Sequence, residues 1–282
     1  MKKYNKTGWL FVAPSLIGVG LFVFLPMIYT IWYSIMDSNA KRFVGAENFI
    51  NVLKNEAFHL ALKNTIQFTM ICIPLLIIAA LGVSILLTEW FPGNYFLKSI
   101  FLIPMAVPCV SVVFLWNIIF ARQGFLNGLL HEFGIAGQDW MNTRYAFMVL
   151  VLSYIWKNVG YDIILFLVGI INIPKEYYEA AKVDGAGKWK SFVYITLPNL
   201  KNVFMLIVIL SLINSFKVFR EAYLVSGNYP HESIYMLQNL FNNWFSDLEF
   251  SKMAAATVLI CTVILCMVEC VRFILSKRRD RR

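Results

Sequence analysis

Two otherwise apolar stretches carry polar side chains at helical spacing. In the first, Tyr154, Asn158 and Tyr161 recur at i, i+4 and i+7, so they share one face, with Lys157 beside the stripe and Asp162 following it. In the second, Ser211, Asn214 and Ser215 again share a face, ahead of Lys217, Arg220 and Glu221. Two neighbouring stripes of hydroxyl, amide and phenol groups suit a neutral polyhydroxylated ligand such as a sugar. Such a ligand needs many hydrogen-bond partners and flat apolar rings, and no counter-ion. The same groups also serve as hydrogen-bonding glue between helices, with Lys217 and Glu221 pairing at i, i+4. A proton or ion relay is less suited, because Asp162 is the only carboxylate placed deep in these runs.

Other chemistry is missing. The sequence contains no HExxH, no GxSxG and no paired carboxylates on one helical face. Gly187-Lys188 superficially resembles the end of a phosphate-binding loop, but Trp189 follows it and Lys182 occupies the position of the leading glycine. His59, His131 and His231 are scattered through predicted loops and read as ordinary surface residues. Cys72, Cys109, Cys261, Cys266 and Cys270 all fall in apolar stretches and read as small buried hydrophobes. No catalytic residue, metal site or cofactor is expected.

The elements that hold these stripes are set by composition. Of 282 residues, 59% are hydrophobic and 15% charged, and mean hydropathy is +0.66. Soluble chains run near 45–50% apolar and about 25% charged. The chain is therefore expected to be an all-α, polytopic membrane protein. A crossing helix needs about 20 mainly apolar residues. Six segments meet that length: Trp9–Met36, Thr65–Thr88, Ile100–Phe120, Tyr145–Ile171, Val203–Val225 and Met253–Leu275. The first exceeds a signal-peptide core of about 7–15 residues, so it is expected to be retained. Trp9, Trp32, Trp90, Trp116 and Tyr145 fall near the ends of these segments, where interfacial aromatics are expected. Pro74, Pro104 and Pro108 are expected to interrupt the second and third spans. An amphipathic run from Ser233 to Phe245 is expected to lie along the outer membrane surface.

Charge orients the spans. A formal net charge of +9 would raise nucleic-acid binding in a soluble chain, but in a membrane protein it follows from retention of Lys and Arg on the cytoplasmic side. With both termini inside, fifteen Lys and Arg fall on inside segments and seven on outside loops. That arrangement places residues 172–202 in the cytoplasm and removes nucleic acid from consideration.

This loop, IPKEYYEAAKVDGAGKWKSFVYITLPNL over 173–200, reads as two short helices around a turn. Pro174 suits a first helical position, and Glu176 and Glu179 sit early, where carboxylates favour the helix dipole. Asp184-Gly185 marks the turn, and a second helix is expected from Gly187 until Pro198 stops it. A knob of this kind can dock a partner or lie passively on lipid headgroups.

Glu179-Ala180-Ala181, Asp184-Gly185-Ala186, Phe192, Ile195 and Leu197-Pro198 resemble the EAA loop of membrane permeases in binding-protein-dependent ABC importers. The wider chain resembles the carbohydrate permeases of the maltose and multiple-sugar group. The resemblance implies a type I importer permease: one membrane domain over 1–282, with a first span at 9–36 and a core at 60–275. It implies that Glu179, Ala180, Ala181, Asp184, Gly185 and Ala186 couple to a cytoplasmic ATPase. It also places sugar contacts near Tyr154, Lys157, Asn158, Tyr161, Ser211, Asn214 and Ser215.

The partners it implies are a second, non-identical permease, two ATPase subunits and an extracellular or periplasmic sugar-binding protein, assembled in a bacterial cell membrane. The turn Ser226-Gly-Asn-Tyr-Pro230 departs from the glycine-rich turn of the family. The competing expectation is a secondary transporter of a small polar solute, which would show inverted repeats and midplane carboxylates.

Overall fold

The computed structural model describes residues 6–91, 99–215, 223 and 230–277. Lys98, Lys217, Arg220, Glu221 and the Ser226–Tyr229 part of the turn lie outside them, as does most of the expected fifth span beyond Ser215. Among the described residues the chain is helical, apart from an isolated antiparallel bridge between Met36 and Phe43.

Among the described residues, four helices are long and apolar enough to cross a membrane: Phe11–Ser34, Glu56–Trp90, Cys109–Glu132 and Ala146–Ile171. Lys188–Asn199 and Lys201–Ser215 make a fifth if the bent pair is taken as one span. The last helix runs Phe250–Lys277, with a shorter apolar stretch at Phe250–Cys266. At the second span the observed start differs from the expected one. The span is one 35-residue helix, Glu56–Trp90, that begins well before Thr65 and continues through Pro74. At about 1.5 Å per residue it is longer than a bilayer core of about 30 Å, so charged turns at its start extend beyond the apolar part.

Proline acts differently at each position. Ahead of Pro26 and Pro198 the helix widens into a single π turn, at Gly20–Phe24 and Phe192–Thr196. There the N–H of the residue before proline reaches back five residues, Leu25 to the Gly20 carbonyl and Leu197 to that of Phe192. The proline ring would collide with the carbonyl four residues earlier, and the wider turn moves that carbonyl away. The second loop helix, expected to run until Pro198, ends at Asn199, one residue beyond it. The path then turns at Leu200, with a bend of 64° into Lys201–Ser215.

In the third span the break is complete. A short helix, Ile103–Ala106, is followed by extended Val107 (ψ 126°) and Pro108 (ψ 144°), and then by Cys109–Phe120. Val107 is forced out of the helical region by the proline after it.

The chain divides into two compact units. One comprises Met1–His59 with Leu240–Arg282, and the other Leu60–Asn239. In the first, the Phe250–Lys277 helix packs on Leu25–Ser34 and Glu47–Leu53. The buried Asn48 amide donates to the Ser34 and Met36 carbonyls, at 3.0 and 2.7 Å. The backbone N–H groups of Lys41 and Arg42 hold the Asp37 carboxyl below its usual range. Cys261 and Cys266 are exposed on this unit rather than buried as expected, because their helix turns that face to the surroundings.

In the second unit, Phe68, Cys72 and Leu76 pack with Leu150, Tyr154, Ile234 and Met236. A further cluster joins Ala80, Leu87, Ile163, Phe166, Leu200 and Ile207. The amphipathic run expected on the membrane surface is thus anchored in protein. Asn64 donates to the carbonyls of Glu232 and Tyr235, and Thr65 accepts the Leu237 N–H. Leu237, where the Leu237–Ser246 helix begins, is buried. An amphipathic pattern satisfies a protein face as well as a lipid one, so periodicity does not separate the two.

Candidate functional site

The loop begins where the fourth span ends at Ile171. Pro174 sits one position before the helix, with ψ 134°, and Lys175–Val183 follows. Its end is a Schellman motif: the Gly185 N–H bonds to the Lys182 carbonyl at 3.1 Å, and the Ala186 N–H to that of Ala181 at 2.8 Å. Gly185 takes φ +74°, a conformation that costs a residue with a β-carbon about 1–2 kcal/mol. The Asp-Gly-Ala triplet is therefore a helix stop, and it turns the chain sharply into Lys188–Ser191.

What the stop presents is an exposed helix. Glu179, Ala180, Asp184 and Gly185 are exposed, while Ala181 and Ala186 are half-buried. Val183 and Trp189 stand 88% and 75% exposed, beside exposed Tyr177. Apolar groups this open on a charged loop form a surface suited to cover by another protein.

One contact closes the loop on itself, and two tie it to the helices around it. Tyr178 and Thr196 join their hydroxyls at 2.9 Å across the turn. Lys188 forms an ion pair with Glu89, at the end of the second span, at 2.9 Å. The elbow residue Leu200 is fully buried against Gly169, where an added β-carbon would lie 2.6 Å from Leu200 Cδ2 and 2.9 Å from Val203 Cγ2.

The two polar stripes meet in part. Tyr154 is buried, with its ring edge-on to Phe68, and its hydroxyl donates to the Ser211 carbonyl at 2.9 Å. The Ser211 hydroxyl donates to Asp162 at 3.4 Å, and Ser215 lies 3.4 Å from the Thr69 hydroxyl. These groups form a polar seam among three helices. Lys157, Asn158 and Asn214 are half-buried, and Tyr161 is exposed. The Asn158 amide donates to the Tyr154 carbonyl at 2.8 Å. The stripe from Tyr154 to Tyr161 is thus divided, buried at Tyr154, half-buried at Asn158 and exposed at Tyr161.

Sequence reasoning missed Gly160, which lies against Phe101, and Gly169, which lies against Leu200 and Val203. A glycine inside an apolar run was the available signal, although it does not say what approaches. Trp116, expected as an interfacial aromatic, donates its indole N–H to Ser153 at 2.7 Å in the contact between the third and fourth spans. Among the described residues no three of His, Cys, Asp or Glu gather as a metal site.

Residues 89–281 match the family described as binding-protein-dependent transport system inner membrane component. The chain belongs to this family. The permease is 30% identical over 266 residues to the trehalose/maltose transport system permease protein MalF of Thermococcus litoralis, covering 92% of this chain and 90% of that one. It is 26% identical to the lactose transport system permease protein LacF of Rhizobium radiobacter, over 98% and 96% of the two chains.

Its fold matches a chain of a bacterial ABC transporter involved in import of the acidic polysaccharide alginate. The TM-score is 0.81 at 22% identity, covering 97% of this chain and 96% of that one. A second structure of an alginate transporter, in complex with a pentasaccharide-bound periplasmic protein, gives 0.78 at 21%, over 93% and 92%. The permease therefore has the fold of an ABC importer membrane subunit. Its family is one of transport components rather than enzymes, and the secondary-transporter reading is not favoured.

Proposed function

We propose that this permease is one half of the membrane pathway of an ABC sugar importer. The observation that carries the reading is the exposed Lys175–Val183 helix, closed by a Schellman stop at Gly185 in the register of the EAA loop. Glu179, Ala180, Ala181, Asp184, Gly185 and Ala186 form the contact with the ATPase. ATP is hydrolysed on that separate subunit, so closure there must reach the pathway as a displacement of this loop. The names of the two relatives, trehalose/maltose and lactose permeases, support a sugar as the transported solute.

In this reading six spans form one membrane domain over 1–282, with both termini in the cytoplasm. The partners are a second, non-identical permease, two ATPase subunits and an extracellular or periplasmic sugar-binding protein. Lys157, Asn158, Tyr161 and Asn214 line the sugar pathway directly, and Tyr154, Ser211 and Ser215 enter it through the helix positions they hold.

The test is affinity purification of the tagged chain from its native membrane, followed by reconstitution in liposomes with radiolabelled maltose, trehalose and lactose. ATP-dependent accumulation of any one of them, with an ATPase and a second permease in the purified complex, supports the reading. A complex lacking an ATPase, or uptake driven by an ion gradient without ATP, would overturn it.

A further inference from the structure

Asp162 is a carboxyl in the interior of a helix contact, 3% exposed, in a segment that crosses the membrane. It lies one turn beyond Asn158 and two beyond Tyr154 on the fourth span. Both Asp162 and Tyr154 engage the same residue of the Lys201–Ser215 helix. Tyr154 donates to the Ser211 carbonyl, and the Ser211 hydroxyl donates to Asp162 Oδ2. One serine is thus held from two levels of the facing helix.

Apolar side chains pack beside these bonds. Ile163, Phe166, Ile207 and Phe204 are among them, and the Phe166 and Phe204 rings meet edge-on at 5.0 Å. Within a bilayer such contacts hold an axial offset weakly, because lipid tails are as apolar as the side chains themselves. Hydrogen bonds are directional. Two bonds reaching one residue from two levels of the facing helix fix its offset and its rotation together, and removing either one loosens both.

These two helices are also the ones that leave either end of the 173–200 loop, and Gly169 and Leu200 join them next to it. A displacement of the loop therefore arrives at the pair. It either carries both helices together or slides one along the other.

We propose that Asp162 is a positioning residue for transport. Through Ser211 it keeps the Lys201–Ser215 helix in register with the fourth span, so that motion of the loop moves both helices as one body. The proposal rests on the coupling reading of the loop. What it requires of residue 162 is an acceptor oxygen of the right shape, so Asp162→Asn retains the function and Asp162→Ala loses it.

The experiment reads register directly and needs no transported sugar. In the purified complex, with native cysteines replaced, cysteine pairs are placed at Phe166 with Phe204 and, one turn off register, at Phe166 with Val208. Each is oxidised with and without MgATP and vanadate. In the parent and in Asp162→Asn the cross-link stays at 166–204 in both states. In Asp162→Ala, nucleotide trapping raises the 166–208 cross-link about fivefold, the ratio expected for loss of one net hydrogen bond.

Asp162→Ala holding register under nucleotide overturns the proposal, as does a parent that itself slides. Asp162→Asn behaving like Asp162→Ala overturns the acceptor role. A complex without any ATPase sinks the coupling reading instead, and the nucleotide-free cross-links keep the two failures apart.

Discussion

Gly160 of the fourth span lies directly against the backbone of Phe101: a β-carbon added to it would overlap the Phe101 carbonyl oxygen. The neighbour is main chain rather than a flexible side chain, so the clash can be relieved only by moving the segment that leads into Ile103–Ala106. Gly160→Ala is expected to destabilise by at least the roughly 1–3 kcal/mol of an overpacked contact. It should lower the thermal midpoint of the detergent-solubilised protein. An unchanged midpoint would mean that the Phe101 backbone does not rest there.

Gly185 offers a cleaner separation of stability from function. Its φ of +74° is inaccessible to proline, whose ring holds φ near −65°. Gly185→Pro should abolish the Schellman stop and uncouple ATP hydrolysis from uptake while the chain still inserts. Gly185→Asn should remain close to the parent, because asparagine tolerates the left-handed region. Parent-like uptake by the proline variant would remove the turn from the coupling path.

Glu179 is exposed at the middle of the loop helix. Glu179→Lys leaves the fold without a buried change, so its effect should fall on partner binding alone. Expected is reduced co-purification of the ATPase at an unchanged yield of inserted permease, measured by pull-down from membranes. Equal recovery of the ATPase would clear Glu179 of that role.

The Glu89–Lys188 pair bridges two segments 99 residues apart, with Lys188 87% exposed. An exposed pair contributes about 0–1 kcal/mol and weakens with salt. Lys188→Glu is expected to cut the coupled transport rate by no more than about fivefold at low ionic strength. The exchanged pair Glu89→Lys with Lys188→Glu should restore it. No recovery in the double variant would show that the two side chains act separately.

The loop is legible in the amino-acid sequence because its information is local. Glu179-Ala180-Ala181 and Asp184-Gly185-Ala186 spell out a short helix and its stop, and the stop is formed by bonds between residues three and five positions apart. The membrane class is equally legible, since an apolar fraction of 59% follows from the solvent alone.

The course of the chain through its prolines is not. Pro74 lies within an unbroken helix, Pro198 behind a π turn one residue before a helix ends in a bend, and Pro108 at a true break. A missing N–H and a bulky ring permit all three outcomes, and the packing of each helix selects one. The same holds for the polar stripes. Sequence alone determined which residues share a helical face and that a loop with a glycine stop stands between two apolar helices. Only the tertiary structure decided that Tyr154 and Asp162 both engage Ser211 while Tyr161 stays exposed. Helical periodicity fixes an angle around one axis, and the position of the neighbouring helix along and around that axis is set by contacts between residues about fifty positions apart.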